Sequence, residues 1–319
     1  MRHHPTPDKA ASRAALQEGL VIASHGRHVW VQTSSGDLVL CHPRGKKSQT
    51  VVGDRVHWLP SQDEGTIETV LPRRNLLYRQ DEIRTKSFAA NLDQVLVLIA
   101  AEPEFSESQL TRALVAAQAA GIAPVIALNK RDLHEPFARA WEKLKAYRDM
   151  GYTVLPLALK PRSHDFYDAS TDGLSALLQG KTTLILGPSG SGKSTLINRY
   201  IPHAQALTAE ISSALNSGKH TTTSTRWYWL DDTQTTALID SPGFQEFGLH
   251  HIDPMHLANL MPDFKAQISG CRFYNCTHLH EPGCGVMAEV ETTEKTGKIS
   301  ASRYKIYSDL FAELSQTRY

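Results

Sequence analysis

Gly187-Pro188-Ser189-Gly190-Ser191-Gly192-Lys193-Ser194 has the spacing G-x-x-x-x-G-K-[ST]. A loop of this kind wraps phosphates. Its glycines let consecutive backbone N–H groups turn inward where a Cβ would stand in the way. Lys193 has the reach for β- and γ-phosphates, the Ser194 hydroxyl suits Mg²⁺, and Thr195 follows as a further contact. The apolar run ending at Leu186 predicts the strand before the loop. Ser194 to Tyr200 predicts the helix after it, whose positive end faces the same anion.

Three further segments belong with such a loop. Asn129-Lys130-Arg131-Asp132 follows the apolar strand Pro124 to Leu128, where α/β sheets bind ligands. An Asp carboxylate there accepts from guanine N1–H and the 2-amino group together, a pattern that adenine does not offer. Asp240-Ser241-Pro242-Gly243 follows the strand Thr235 to Ile239. It supplies an Asp for Mg²⁺ and a Gly whose N–H can meet a γ-phosphate. Lys219-His220-Thr221-Thr222-Thr223 lies between the phosphate loop and Asp240. One Thr of the run completes the metal shell; Thr222 is placed in the nucleotide set, with Thr221 and Thr223 as alternatives. The base-reading motif at 129 precedes the phosphate loop at 187, the reverse of the usual GTPase order. The sequence is therefore circularly permuted: the same sheet with different ends.

Cys271, Cys276, His278 and Cys284 form a second constellation. Three thiolates and one imidazole make a closed set for tetrahedral Zn²⁺, with no position left for a reacting water, so the ion is structural. His280 is the competing imidazole. Three of the 4 cysteines fall in this stretch of a 319-residue chain, which reads as a metal site in a reducing compartment. Cys41 stands apart in an expected strand.

Composition bounds the rest. There are 34 Lys+Arg against 33 Asp+Glu, a formal charge of +1, which excludes bulk electrostatic capture of nucleic acid. Hydrophobic residues at 41% and charged residues at 21% are ordinary globular values, so wholesale disorder is excluded. No stretch approaches the ~20 apolar residues of a membrane span, and no secretory leader is expected before Ala15. The expected location is the cytoplasm.

The elements that must position these residues fall into three modules. Residues 1–17 are expected as a flexible tail, and 18–80 as a small all-β barrel of the OB type, with short strands such as Val29–Gln32, Val51–Leu59 and Thr66–Leu71. Residues 72–90 show little periodicity and read as a linker. Residues 81–253 alternate apolar strands with amphipathic helices, among them a helix at Glu135–Met150, and predict a mostly parallel α/β sheet. Residues 254–319 are expected as a helical, zinc-binding domain ending in a helix over Ser300–Leu314.

In this order the barrel, N-K-x-D, the phosphate loop, G-K-H-T-T-T, D-S-P-G-F-Q-E-F-G and the Cys₃His cluster resemble the RsgA family of small-ribosomal-subunit biogenesis GTPases. Val51-Val52-Gly53-Asp54-Arg55-Val56 and Pro72-Arg73-Arg74-Asn75 resemble its barrel and linker. One departure is Pro156-Leu157-Ala158-Leu159-Lys160, where that family carries a small Ser/Ala-type loop. The resemblance implies a GTP hydrolase, binding GTP and GDP with Mg²⁺. It also implies action on the small ribosomal subunit near its decoding region, late in maturation, with the particle stimulating turnover. Phe244 stands where many GTPases carry a water-orienting Gln. The resemblance implies His220 as its substitute, since an imidazole can hold a water and accept its proton; a displaced Gln245 is the alternative.

The expected partner is the small subunit and its rRNA, with no DNA, no membrane and a monomeric protein. Residues 44–86 hold nine Lys/Arg against six acids, a modest surplus for phosphate contacts. Two rivals stand beside this reading. A P-loop ATPase is disfavoured by Asp132, and an RNA-binding scaffold would leave its nucleotide site merely structural or regulatory.

Overall fold

Alternating apolar residues build the first part of the chain. In a computed structural model, the described residues are 16–25, 28–45, 50–61, 64–160, 169–202, 204, 225–243, 247–292 and 296–316. They fall in two units, residues up to 73 and residues from 74 onward. In the first, β1 (Gln17–His25), β2 (His28–Thr33) and β3 (Leu38–Pro43) form an antiparallel meander. Strand β5 (Gly65–Val70) runs parallel to β3, and β4 (Arg55–Pro60) pairs with both β5 and β1. That closes a five-stranded barrel.

Val21, Val29, Val31, Cys41, Val56, Trp58 and Ile67 fill its interior, each buried aliphatic contributing about 1.5–3 kcal/mol. Gly65 is dictated by packing, since a Cβ there would lie 2.5 Å from Cys41 Sγ and 2.7 Å from the Trp58 ring. Burial pushes the Cys41 thiol up to about 11, an inert wall residue.

The strand expected from Val51 begins at Arg55 instead. Gly53, at φ +89°, turns the chain, and its N–H donates to Val21 O at 2.8 Å. The Asp54 carboxylate, wholly buried, then accepts from Val51 N at 2.8 Å. It also accepts from Arg73 Nε at 2.7 Å and Arg73 Nη2 at 2.8 Å. The charged pair outweighs the β-propensity of Val51-Val52.

The stretch 72–90, expected as a linker, contains a hairpin: β6 (Leu76–Gln80) pairs antiparallel with β7 (Thr85–Ala90). Leu77, Phe88, Ala89 and Ala90 are buried. After it comes the sheet. β8 (Gln94–Ala100), β9 (Ala123–Asn129), β10 (Thr153–Pro156), β11 (Thr182–Leu186) and β13 (Ala237–Asp240) are parallel, in the order β10-β9-β8-β11-β13. β12 (Arg226–Trp229) pairs antiparallel with β13. Every residue of β8 is buried, as a central parallel strand covered on both faces requires.

On one face α4 (Ala169–Leu178) and α5 (Lys193–Tyr200) cover Leu96, Leu98, Ile185 and Leu238 through Leu174, Leu178, Leu196 and Ile197. α1 (Glu107–Ala119) packs on β8 and β9. Ser106 caps α1 by accepting from Gln109 N at 3.3 Å. Its buried Leu110, Ala113, Leu114 and Ala117 keep the i, i+3, i+4, i+7 spacing. The helix expected at Glu135–Met150 is two pieces, α2 (His134–Lys143) and α3 (Lys145–Asp149), divided at Leu144.

After β13 come a 3₁₀ helix at Pro254–Leu260, short turns around the cysteines, and α6 (Ala301–Leu314), capped by Ser300. Arg303 and Asp263 form a buried pair at 2.9 Å and 3.0 Å that ties α6 to the turn after the 3₁₀ helix. No helix among the described residues is long and apolar enough to cross a membrane.

Candidate functional site

The phosphate loop occupies the turn between β11 and α5, and two of its glycines are imposed by contact. A Cβ on Gly187 would lie 2.2 Å from Leu98 O, and one on Gly192 would lie 2.4 Å from Asn129 Nδ2. Gly190 and Gly192 also hold φ +80° and +106°, the left-handed region that side chains rarely enter. Lys193 Nζ donates to Gly187 O at 2.6 Å and to Pro188 O at 3.0 Å. Ser194 is exposed on the first turn of α5, beside the half-buried Thr195.

β13 brings Asp240 beside this loop, in parallel register with Ile185. The next residue is pinned, because Ser241 Oγ donates to Ile185 O at 2.7 Å. Gly243 then passes close to the lysine: a Cβ there would stand 3.1 Å from Lys193 Nζ. Burial pushes the Asp240 carboxyl up to about 6, against the opposing charges of Lys193 and Arg226. Burial likewise lowers Lys193, and Asp240 works against that. Each charge makes the other tolerable in a poorly solvated place.

Asn129 ends β9 and is buried. Its Nδ2 donates to Ser191 O at 2.9 Å, and its Oδ1 accepts from Leu159 N at 3.1 Å. The side chain therefore straps three loops together. Lys130 sits at φ +68°, and its ammonium donates to Glu102 O. Arg131 N donates to Leu157 O at 2.9 Å, which fixes the turn that presents Asp132.

Asn129, Lys130, Asp132, Gly190, Gly192 and Thr195 line one cleft of about 800 Å³ with Leu133, Leu159 and Lys160, well inside the range of ligand clefts. Pro188, Ser189 and Ser191 face a smaller cavity of about 330 Å³, with Phe105 and Leu110 opposite. The Leu159 amide and the Glu102-Pro103 turn went unrecognised in the sequence. Proline just past an apolar strand was the available signal for the turn. His220, Thr221, Thr222, Thr223, Phe244 and Gln245 lie outside the described residues.

The second constellation also converges. One ligand atom each from Cys271, Cys276, His278 and Cys284 lie within 4.8 Å of one another. His278 Nδ1 is 3.5 Å from both Cys271 Sγ and Cys284 Sγ, and those two sulfurs are 4.0 Å apart. Tetrahedral Zn–S and Zn–N bonds of about 2.3 and 2.0 Å place ligand atoms about 3.5–3.8 Å apart, so the group fits the ion. His280 is exposed and outside the group.

Burial pushes the Cys276 thiol up to about 12, helped by Cys284 and Cys271. Burial also lowers His278, favouring the neutral imidazole that a metal takes. Thiolates held this close together need a cation. Glu281 braces the ligand loop, accepting from Thr277 N at 2.8 Å, Thr277 Oγ1 at 2.5 Å, and Leu279 N and His280 N at 3.3 Å. Tyr304 and Tyr307 of α6 donate to His278 O at 2.8 Å and Thr277 O at 2.9 Å.

The basic surplus at 44–86 is partly neutralised within each unit. Arg73 pairs with Asp54, Arg44 with Glu68 and Arg74 with Asp93.

Comparison with known proteins agrees with this arrangement. A family model described as RsgA GTPase matches residues 70–250. The small ribosomal subunit biogenesis GTPase RsgA of Variovorax paradoxus is 67% identical over 316 residues, covering 98% of both chains. The protein of that name from Paraburkholderia phymatum is 50% identical over 311 residues, covering 97% of this chain and 94% of its own. Among solved structures, YjeQ from Thermotoga maritima matches with a TM-score of 0.70 at 28% identity, over 95% of this chain and 100% of its own. YloQ, described as a circularly permuted GTPase, matches with a TM-score of 0.67 at 27% identity, over 98% and 100%. With Asn129–Asp132 ahead of Gly187–Ser194 in sequence and such relatives along its whole length, the chain belongs to the RsgA family of circularly permuted, GTP-hydrolysing enzymes.

Proposed function

We propose that the chain binds GTP with Mg²⁺ in the 800 Å³ cleft, hydrolyses it, and acts late in small-ribosomal-subunit assembly. The observation that carries this is the Asn129 strap, which joins the guanine-reading loop to the phosphate loop through Ser191 O. In this reading Asp132 accepts from the guanine edge and the amides of 187–192 hold the phosphates. Lys193 and the Gly243 N–H meet the β- and γ-phosphates. Ser194, Asp240 and Thr222 are the Mg²⁺ ligands, and the ion supplies charge neutralisation at the phosphates. His220, or else Gln245, holds the attacking water.

Cys271, Cys276, His278 and Cys284 hold one structural Zn²⁺. The barrel and the zinc module supply the rRNA contacts. The relatives' printed name supports the small subunit as partner, and the cytoplasm, where that particle is assembled, as location.

The test is competition together with co-sedimentation. Labelled GDP should be displaced by GTP and not by ATP, and the GTP-loaded protein should sediment with small and not large subunits. Equal displacement by ATP would overturn the guanine assignment. Equal sedimentation with both subunits would overturn the partner.

A further inference from the structure

Arg112 joins three segments that are far apart in sequence. Its Nη1 donates to Glu313 Oε1 at 2.9 Å and to Phe247 O at 3.3 Å, while Nη2 donates to Glu313 Oε2. Glu313 lies in the last turn of α6, and Arg112 holds its carboxyl below the usual range. Phe247 follows Asp240 by seven positions in the sequence. It is fully buried and stacked on Phe88, with centroids 5.6 Å apart and planes at 12°.

The chain just beyond is fastened as well. Gln80 N donates to Gly248 O at 3.1 Å, and His250 N donates to Gln80 O at 3.0 Å. Gly248 has no room for a side chain, since a Cβ there would stand 2.5 Å from Gln80 O. The segment 247–250 is thus gripped by α1 and by the β6–β7 hairpin.

α1 makes a second connection to α6 one residue earlier. Arg303 Nη1 donates to Thr111 Oγ1 at 2.7 Å, and Arg303 is itself buried against Asp263. At its other end α1 follows the Glu102-Pro103 turn, whose carbonyl receives the Lys130 ammonium at the rim of the cleft. The zinc-ligand loop in turn hangs on α6 through Tyr304 and Tyr307. A contiguous path therefore runs from the Glu102 carbonyl at the cleft rim along α1 to Arg112, and by hydrogen bonds on to the helix that braces the metal cluster.

We propose that Arg112 is a positioning residue that couples the nucleotide state of the cleft to α6 and the Cys₃His module. It does so by holding the Phe247 carbonyl and the Glu313 carboxylate with one guanidinium. A planar guanidinium fork can serve a carboxylate and a carbonyl at once. A lysine ammonium can keep the charge beside Glu313 but cannot present that fixed set of N–H groups. The proposal rests on the cleft being the GTP site, so the test reads both ends of the path.

Amide hydrogen exchange is measured on the zinc-loaded full chain with GDP and with a non-hydrolysable GTP analogue, for the wild type, Arg112→Lys and Glu313→Gln. The wild type should show a nucleotide-dependent difference in the phosphate loop and in 301–314. Both variants should keep the first and lose the second, with no further loss in the double variant, because the two residues act as one unit. A difference in 301–314 that persists in Arg112→Lys overturns the coupling. So does a wild type in which the phosphate loop responds and 301–314 does not. No response even in the phosphate loop overturns the site assignment itself, and the coupling with it.

Discussion

Asn129 Nδ2 donates to Ser191 O at 2.9 Å, so the end of β9 and the crown of the phosphate loop move as one piece. The contact leaves no room at Gly192, where a Cβ would lie 2.4 Å from that same nitrogen on a backbone of φ +106°. Gly192→Ala should therefore abolish GTP binding and destabilise the protein by about 1–3 kcal/mol through backbone strain alone. Isothermal titration and thermal melting check both parts. An alanine variant with native GDP affinity would contradict the strap.

Base specificity should reside in Asp132, which lines the cleft beside Lys130. Asp132→Asn exchanges one acceptor for a donor and leaves guanine's N–H groups poorly matched. Affinity for GTP should fall about 100-fold. Xanthosine triphosphate, which carries a carbonyl where guanine has its amino group, should bind better than to the wild type. Competition binding with the two nucleotides reads the switch directly.

Asp240 gives a pH signature. Its ordinary value is 3.8, and burial pushes it up to about 6, so the folded nucleotide-free protein binds that proton more tightly than the unfolded chain does. Above about pH 6 the ionised carboxylate costs stability, and as pH falls from 6 toward 3.8 the cost disappears. Asp240→Asn should raise the nucleotide-free melting temperature at about pH 8, by the equivalent of about 1–3 kcal/mol. The gain should fade toward about pH 4, and Mg²⁺-dependent turnover should be lost. Melting curves that coincide at both pH values would contradict the burial account.

Motifs whose residues are close in sequence were legible, and those assembled across the fold were not. The phosphate loop, N-K-x-D and the cysteines advertise themselves by local spacing. The alternation of β2 and the solid apolar run of β8 gave away the barrel and the sheet. The β6–β7 hairpin escapes a sequence reading because Leu76-Leu77-Tyr78 and Phe88-Ala89-Ala90 carry no period-2 pattern of apolar and polar residues, although Leu77, Phe88, Ala89 and Ala90 are buried. Arg112–Glu313 and Arg303–Thr111 span 201 and 192 positions, and no local pattern marks such pairs. Arg73 is instructive, since it counts among the nine basic residues of 44–86 weighed for phosphate contacts and is the counter-ion of a wholly buried Asp54.

The Cys₃His cluster should hold one zinc ion per chain, and chelation or Cys284→Ser should lower the melting temperature. Glu281 touches the ligand loop through five hydrogen-bond donors, one of them the Cys276 thiol at 3.6 Å. Glu281→Gln keeps every ligand yet should weaken zinc retention about 10–100-fold in a chelator competition. Unchanged retention would show that the ligands alone define the site.

The central claim is tested most directly by GTP hydrolysis in the purified protein, alone, with small ribosomal subunits, and with large subunits as control. The account predicts slow turnover alone, strong stimulation by small subunits, and none by large ones. Turnover that small subunits leave unchanged, with GTP still bound, would contradict it.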